Sequence, residues 1–143
     1  MTTIGTIAKT IDELVHRSTD EPFEIYSRLY GCDDDGAYLL AQHSSPYDLL
    51  LATERPKQLN AMALVVVGWA SPDGSDLPPS QHPERFRMRL VNCLSGDDFA
   101  VVMRRADKPD QAEDLGNQGQ GALRDAMEAW WNNAIDVWWD SDS

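Results

Sequence analysis

The residues with the clearest capacity for chemistry are arginines at alternate positions of one segment. Arg85, Arg87 and Arg89 alternate with apolar residues, and this period of two predicts a β-strand with the arginines on one face. Arginines so placed stand roughly 6.6–7 Å apart, so their guanidinium groups could bind a carboxylate, a phosphate or an acidic peptide. Arg104, on the expected return strand, is a further candidate binding residue. The alternative is a solvent-exposed sheet face whose arginines pair with nearby Asp and Glu.

Cys93 continues the same strand face and suggests nucleophilic chemistry. With His82 it could form a nucleophile and base, and the nearby cations would lower the pKa of its thiol. The alternative is a small buried hydrophobic residue. This segment therefore supports one function class, a small-molecule-binding domain or enzyme with a site near His82 and the Arg85–Arg89 strand. No catalytic residue is assigned, because the chain lacks a Gly-x-Ser-x-Gly elbow, a P-loop and a dinucleotide-binding Gly-x-Gly-x-x-Gly.

Four tryptophans near the C-terminus are candidate binding residues of another kind. Trp130 and Trp131 form one adjacent pair, and Trp138 and Trp139 form a second. Neighbouring aromatic residues on a helix point in different directions, so a narrow buried stripe cannot accept all four. Tryptophan is enriched at protein interfaces. An interface and a wide core face therefore remain open as alternatives.

No metal or cofactor is predicted. The run Asp33-Asp34-Asp35-Gly36 lacks the alternate acidic positions and the distal Glu of an EF-hand loop, so it is interpreted as a solvated hairpin tip. The histidines and cysteines do not have the short spacings typical of zinc ligands.

Composition restricts the partners. The 143 residues include 24 acidic and 12 basic side chains, which gives a formal net charge of −12. This charge disfavours binding to nucleic acid or to an anionic membrane and favours a basic partner. Two cysteines do not make a disulfide framework, no apolar run is long enough to span a membrane, and the N-terminus lacks an apolar signal segment. We therefore expect a cytoplasmic protein with free thiols.

The segment from Ala61 to Pro72 is the longest apolar run and predicts a buried central strand that ends near Ala70. The hairpin from Arg85 to Arg105 is expected to pair beside it, and Phe23–Tyr30 with Ala37–Gln42 is expected to form another hairpin. An N-terminal helix over Ile4–His16, with Asp12 on its solvent side, and a C-terminal helix from Ala122 complete the prediction. The fold class is α+β, a mainly antiparallel sheet of about four to five strands flanked by these two helices.

The chain is predicted to be a single domain. Ser45 and Pro46 are typical of a helix start, although a short strand remains an alternative there. Three non-regular segments are expected: a Pro-rich loop at 71–84, a flexible connector at 107–121 and an acidic tail at 140–143.

Two resemblances can be stated from the residues. The apolar strand ending in Gly68-Trp69-Ala70, the Pro-rich loop, His82-Pro83-Glu84-Arg85, the arginine-alternating strand and the final helix span roughly residues 60–131. In this order they resemble small uncharacterised proteins of actinobacteria and their phages. That resemblance implies a source but no residue with a known role. Gly68-Trp69 followed by Pro79-Ser80 is faintly similar to JAMM metalloproteases, but the positions of that family's histidines hold Ala and Ser-Pro, so no metal site is implied.

The sequence favours a non-enzymatic, acidic binding or accessory protein that acts through protein–protein contact. Its partner would be another protein or a second copy of the chain, and a phage protein would modulate a host protein in the host cytoplasm. The alternative is the small-molecule site described above.

Overall fold

The computed structural model describes residues 3–18, 21, 23–70, 81–96, 98–116, 121–136 and 138. Its elements in chain order are α1 (Ile4–Ser18), β1 (Ser27–Asp33), β2 (Gly36–His43), α2 (Pro46–Ala52), β3 (Ala61–Ala70), β4 (Phe86–Ser95), β5 (Asp98–Arg105), β6 (Lys108–Gly116) and α3 (Ala122–Trp131). The predicted α+β class, the mainly antiparallel sheet and the two terminal helices are confirmed. No helix among these residues has both the length and the apolar character needed to cross a bilayer.

The strands form one antiparallel sheet in the order β2-β1-β3-β4-β5-β6. The predicted central strand is confirmed, because β3 lies between β1 and β4 and the side chains of Ala61–Val65 are all buried. A strand covered on both faces needs apolar residues at successive positions, which is why this segment is a continuous apolar run. The arginine-containing hairpin pairs beside it as expected.

Each face of the sheet has its own core. On one face, α1 packs against alanines, valines and cysteines of the central strands. On the other, α2 and α3 pack against larger residues that include Leu29, Met62, Leu64 and Phe99. The N-cap serine of α2 is confirmed, since the Ser45 hydroxyl accepts a hydrogen bond from the Asp48 amide. The sheet is thus a central layer between helices.

The prediction that Asp12 faces solvent is wrong. Asp12 is fully buried and lies on the sheet-facing side of α1 with Ala8, Ile11 and Val15, whereas Leu14 is partly exposed. Its carboxylate accepts hydrogen bonds from Arg89 Nη2 at 2.8 Å and from Arg104 Nη2 at 2.7 Å. A buried carboxylate is tolerated where cations and hydrogen bonds compensate its lost hydration. This ion network ties α1 to β4 and β5.

The structure also corrects the segment boundaries. Lys108–Gly116, within the predicted flexible connector at 107–121, instead forms edge strand β6 by pairing with β5. The sheet consequently has six strands where about four to five were predicted. The first strand begins at Ser27, four residues later than predicted. The predicted acidic tail at 140–143 and residues 71–80 of the predicted Pro-rich loop lie outside the described residues.

Replacing Asp12 with alanine should lower the free energy of unfolding by about 3–5 kcal/mol, because it removes the carboxylate shared by two buried guanidinium groups. Urea denaturation monitored by tryptophan fluorescence measures this loss. The neighbouring Glu13→Ala is the matched control. Glu13 also contacts Arg104 at 3.0 Å but is 51% exposed, so its loss should cost no more than about 1 kcal/mol. Equal losses in the two variants would contradict a special role for the buried carboxylate.

Candidate functional site

The predicted arginine row is divided between the core and the surface. Arg87 and Arg89 lie on the α1 side of β4, as alternation requires, but Arg89 is fully buried and Arg104 is 3% exposed. Both are engaged by Asp12, and Arg104 also donates to the Pro109 carbonyl. Arg87 is half-buried and donates to the Phe23 carbonyl, whereas the exposed Arg85 lies over the Trp69 ring. Two of the four candidate arginines therefore join the core to α1 and do not form part of an open face.

The geometry does not bring the candidate nucleophile and base together. His82 Nδ1 accepts a hydrogen bond from the Glu84 amide just before β4, whereas Cys93 lies near the far end of that strand. Seven residues separate Cys93 from Phe86, the first residue of β4, which corresponds to ~23 Å of strand. Cys93 is fully buried, and burial raises the pKa of its thiol. The expectation that cations lower this pKa is therefore wrong, because the loss of hydration dominates.

The candidate tryptophans that can be placed lie in the core beneath the sheet. Trp130 is 1% exposed and donates from Nε1 to the Thr53 carbonyl at 2.8 Å. Trp131 and Trp138 are partly buried against the same cluster, and Trp138 stacks on Tyr47 with ring centroids 6.0 Å apart. Trp139 lies outside the described residues. These contacts give Trp130, Trp131 and Trp138 a packing role between α2, α3 and the sheet.

The two edges of the sheet differ in charge. Edge strand β6 contains charged residues and a proline, which discourage pairing with another chain: Lys108, Pro109, Asp110, Glu113 and Asp114. Edge strand β2 contains no Asp, Glu, Lys or Arg over its eight residues. A bulge against β1 bends β2 at Leu40, so the regular exposed segment is Gly36–Leu39. Within it, Tyr38 and Leu39 are 37% and 47% exposed.

An acidic turn immediately precedes this uncharged edge. Asp33, Asp34 and Asp35 connect β1 to β2, and Gly36 follows with a φ of 128° that favours glycine. The Asp33 carboxylate accepts from the Asp35 amide at 2.8 Å, and Asp34 accepts from the Asn60 side chain at 2.8 Å. These bonds hold the turn against the loop before β3. Two of the three carboxylates, those of Asp33 and Asp34, are thus fixed beside the open edge of β2.

Cavities flank the acidic turn on both faces of the sheet. A cavity of about 580 Å³ on the α1 side combines the three aspartates with an apolar wall of Ile7, Ile11, Cys32 and Ala37. Another, of about 540 Å³, contains the same aspartates and is lined by Tyr38 and residues 56–60. An apolar wall with carboxylates at one end suits a lysine or arginine side chain, whose alkyl stem can be buried while its charged end remains solvated.

We take this edge as the candidate functional site and name it the β2 edge, comprising Asp33–Asp35 and Gly36–Leu39. Sequence reasoning classified the aspartates as a solvated tip and β2 as an ordinary return strand. The sequence does contain a signal for this edge: no charged residue occurs between Asp35 and Asp48, although the chain has a high charge content. Among the described residues, no group of three or more His, Cys, Asp or Glu is arranged to hold a metal ion.

Comparison of the chain with protein-family models, curated proteins and solved structures finds no match. The resemblances stated from the sequence therefore stay predictions, and functional inference depends on the geometry.

The two thiols should differ in reactivity in the folded protein. Cys32 is 5% exposed, lines the cavity beside the acidic turn and has its pKa raised to about 11 by burial. At pH 8 only about one thiol in a thousand would then be ionised. We expect Cys32 to react slowly with a disulfide reagent and Cys93 to react only at the rate of global unfolding.

Stopped-flow absorbance with Cys32→Ser and Cys93→Ser measures the reaction of each thiol separately. Rapid labelling of Cys93 in the native Cys32→Ser variant would contradict the assignment.

Proposed function

We propose that this chain is a non-enzymatic binding protein that recruits a basic protein segment by strand addition at the β2 edge. The observation that carries the proposal is the uncharged, exposed segment Gly36–Leu39 directly after three aspartates. In strand addition, the edge backbone forms the hydrogen bonds and pockets for alternate side chains provide specificity.

Charge complementarity favours a basic partner over a second copy. The chain has a net charge of −12, so two copies repel each other over their whole surfaces. Antiparallel pairing of two Gly36–Leu39 segments would also leave one acidic turn at each end of the paired segment, with the two Asp35 residues five strand steps or roughly 17 Å apart. A partner segment with Lys or Arg near its end would instead place those side chains beside Asp33–Asp35. If the source is a phage, that partner would be a host protein.

Lysine substitutions at the two sheet edges provide a matched test. Leu39→Lys adds a cation to the β2 edge, whereas Gln111→Lys adds the same charge to the exposed β6 edge. Proteins captured by the wild-type chain from an actinobacterial lysate would be identified, purified and titrated by calorimetry. We expect a basic partner whose Kd increases at least about tenfold with Leu39→Lys and is unchanged with Gln111→Lys.

The salt dependence of binding and the oligomeric state of the chain are two further measurements that can support or contradict the proposal. Binding should weaken between about 0.05 M and about 0.5 M salt, because Asp34 and Asp35 are solvent-exposed. A partner whose affinity is indifferent to Leu39→Lys, or a wild-type chain that captures nothing, would contradict the proposal. Light scattering that shows a dimer abolished by Leu39→Lys would assign the edge to a second copy.

A further inference from the structure

Three arginines are buried on the α1 side of the sheet, and two of them have a buried carboxylate partner among the described residues. Arg28, Arg89 and Arg104 are 7%, 0% and 3% exposed, whereas Asp12 is the buried carboxylate that pairs with two of them. Glu13, half-exposed, adds a contact to Arg104. The ion pairs found among the described residues do not include Arg28. A buried guanidinium without a counter-charge is costly in a folded protein.

The hydrogen bonding of Arg28 is also incomplete among the described residues. Its Nη1 is completely buried and has no hydrogen-bond partner within the described part of the chain. Buried polar atoms in native proteins are almost always paired, so an exception calls for a specific explanation. One such explanation is a ligand that supplies the acceptor.

The surroundings of Arg28 define the chemistry of that ligand. Register places Arg28 opposite Val65 of β3, and Val67 of β3 lies opposite Arg89 of β4. Arg28 and Arg89 thus flank β3 on the face that carries Val65 and Val67, and the Arg89 guanidinium lies over the Phe23 ring. Tyr30, two residues after Arg28 on the same face, is close enough for both cations to oppose the burial that raises its pKa. Cations and a phenol beside apolar side chains favour an oxygen anion.

We propose that Arg28 anchors a binding site for a small oxyanion, a phosphate or carboxylate group, over β3 between Arg28 and Arg89. The anion accepts the hydrogen bond from Arg28 Nη1 and places a negative charge beside that guanidinium group. The site lies on the opposite face of β1 from Tyr38 and is independent of strand addition at the β2 edge.

Thermal unfolding in matched salts tests the site. Sodium phosphate and sodium acetate would each be compared with sodium chloride at equal ionic strength, which separates the two oxyanion sources from general screening. At ten times its Kd, the bound anion should raise the Tm by about 3–6 °C over chloride. Arg28→Gln should lose this increment, and Arg85→Gln, at an exposed position, should retain it. Equal Tm values in all three salts, or an increment that survives in Arg28→Gln, would overturn the proposal.

Nuclear magnetic resonance of the wild-type chain gives a second test, which does not depend on whether the variants fold. The Nε–Hε resonance of Arg28 should move saturably with phosphate or acetate, while that of Arg85 stays in place. An Arg28 resonance that responds to neither anion would overturn the proposal. Neither experiment uses a protein partner, so failure here leaves the β2 edge proposal intact, and the reverse also holds.

Discussion

The attachment of α1 to the sheet depends on one buried carboxylate. Asp12 binds guanidinium groups from two adjacent strands, β4 and β5, at 2.8 and 2.7 Å. The hydrophobic effect that holds α1 to the sheet is non-directional, whereas a buried ion pair loses its compensation as soon as the atoms separate. The carboxylate therefore fixes the rotation and the axial position of the helix. Two features depend on that position. Ile7 and Ile11 of α1 line the cavity beside the acidic turn, and α1 covers Arg89 and Arg104.

The sheet is open, and its two edge strands, β2 and β6, differ in composition. Charges and a proline discourage pairing at β6, whereas β2 is uncharged and is bent only at its bulge. Gly31 contributes to this arrangement, since a Cβ there would lie 3.2 Å from the Tyr38 ring and 3.3 Å from Leu40 Cδ1. The absence of a side chain lets Tyr38 lie across β1. The exposed edge thus depends on a glycine in the strand beneath it.

Apolar periodicity predicted much of the framework. It placed β3, the β4–β5 hairpin and α3 to within a residue or so, because their sequences carry the pattern of their burial. The pattern failed for β6, whose residues have no apolar alternation and which is a strand through its backbone pairing with β5. The pattern also failed for Asp12, because a rule that counts apolar residues assigns every aspartate to solvent.

The arginine partners of Asp12 are 77 and 92 residues away along the chain, a separation that local sequence patterns cannot detect. The β2 edge was missed since an edge is defined only once the strand order is known.

The long separation between Asp12 and its partners has a consequence for the order of events during synthesis. Helix α1 leaves the ribosome before the strands it packs against, and its sheet-facing side carries a charge that cannot be buried alone. Both arginines must be present before that side can dock, so α1 has to remain undocked until about residue 104 has emerged. Four of the five strand pairings join consecutive strands, and such local hairpins form quickly. The consecutive strands β3 to β6 can therefore pair before α1 docks. Docking of the side of α1 that carries Asp12 is then a late step in folding.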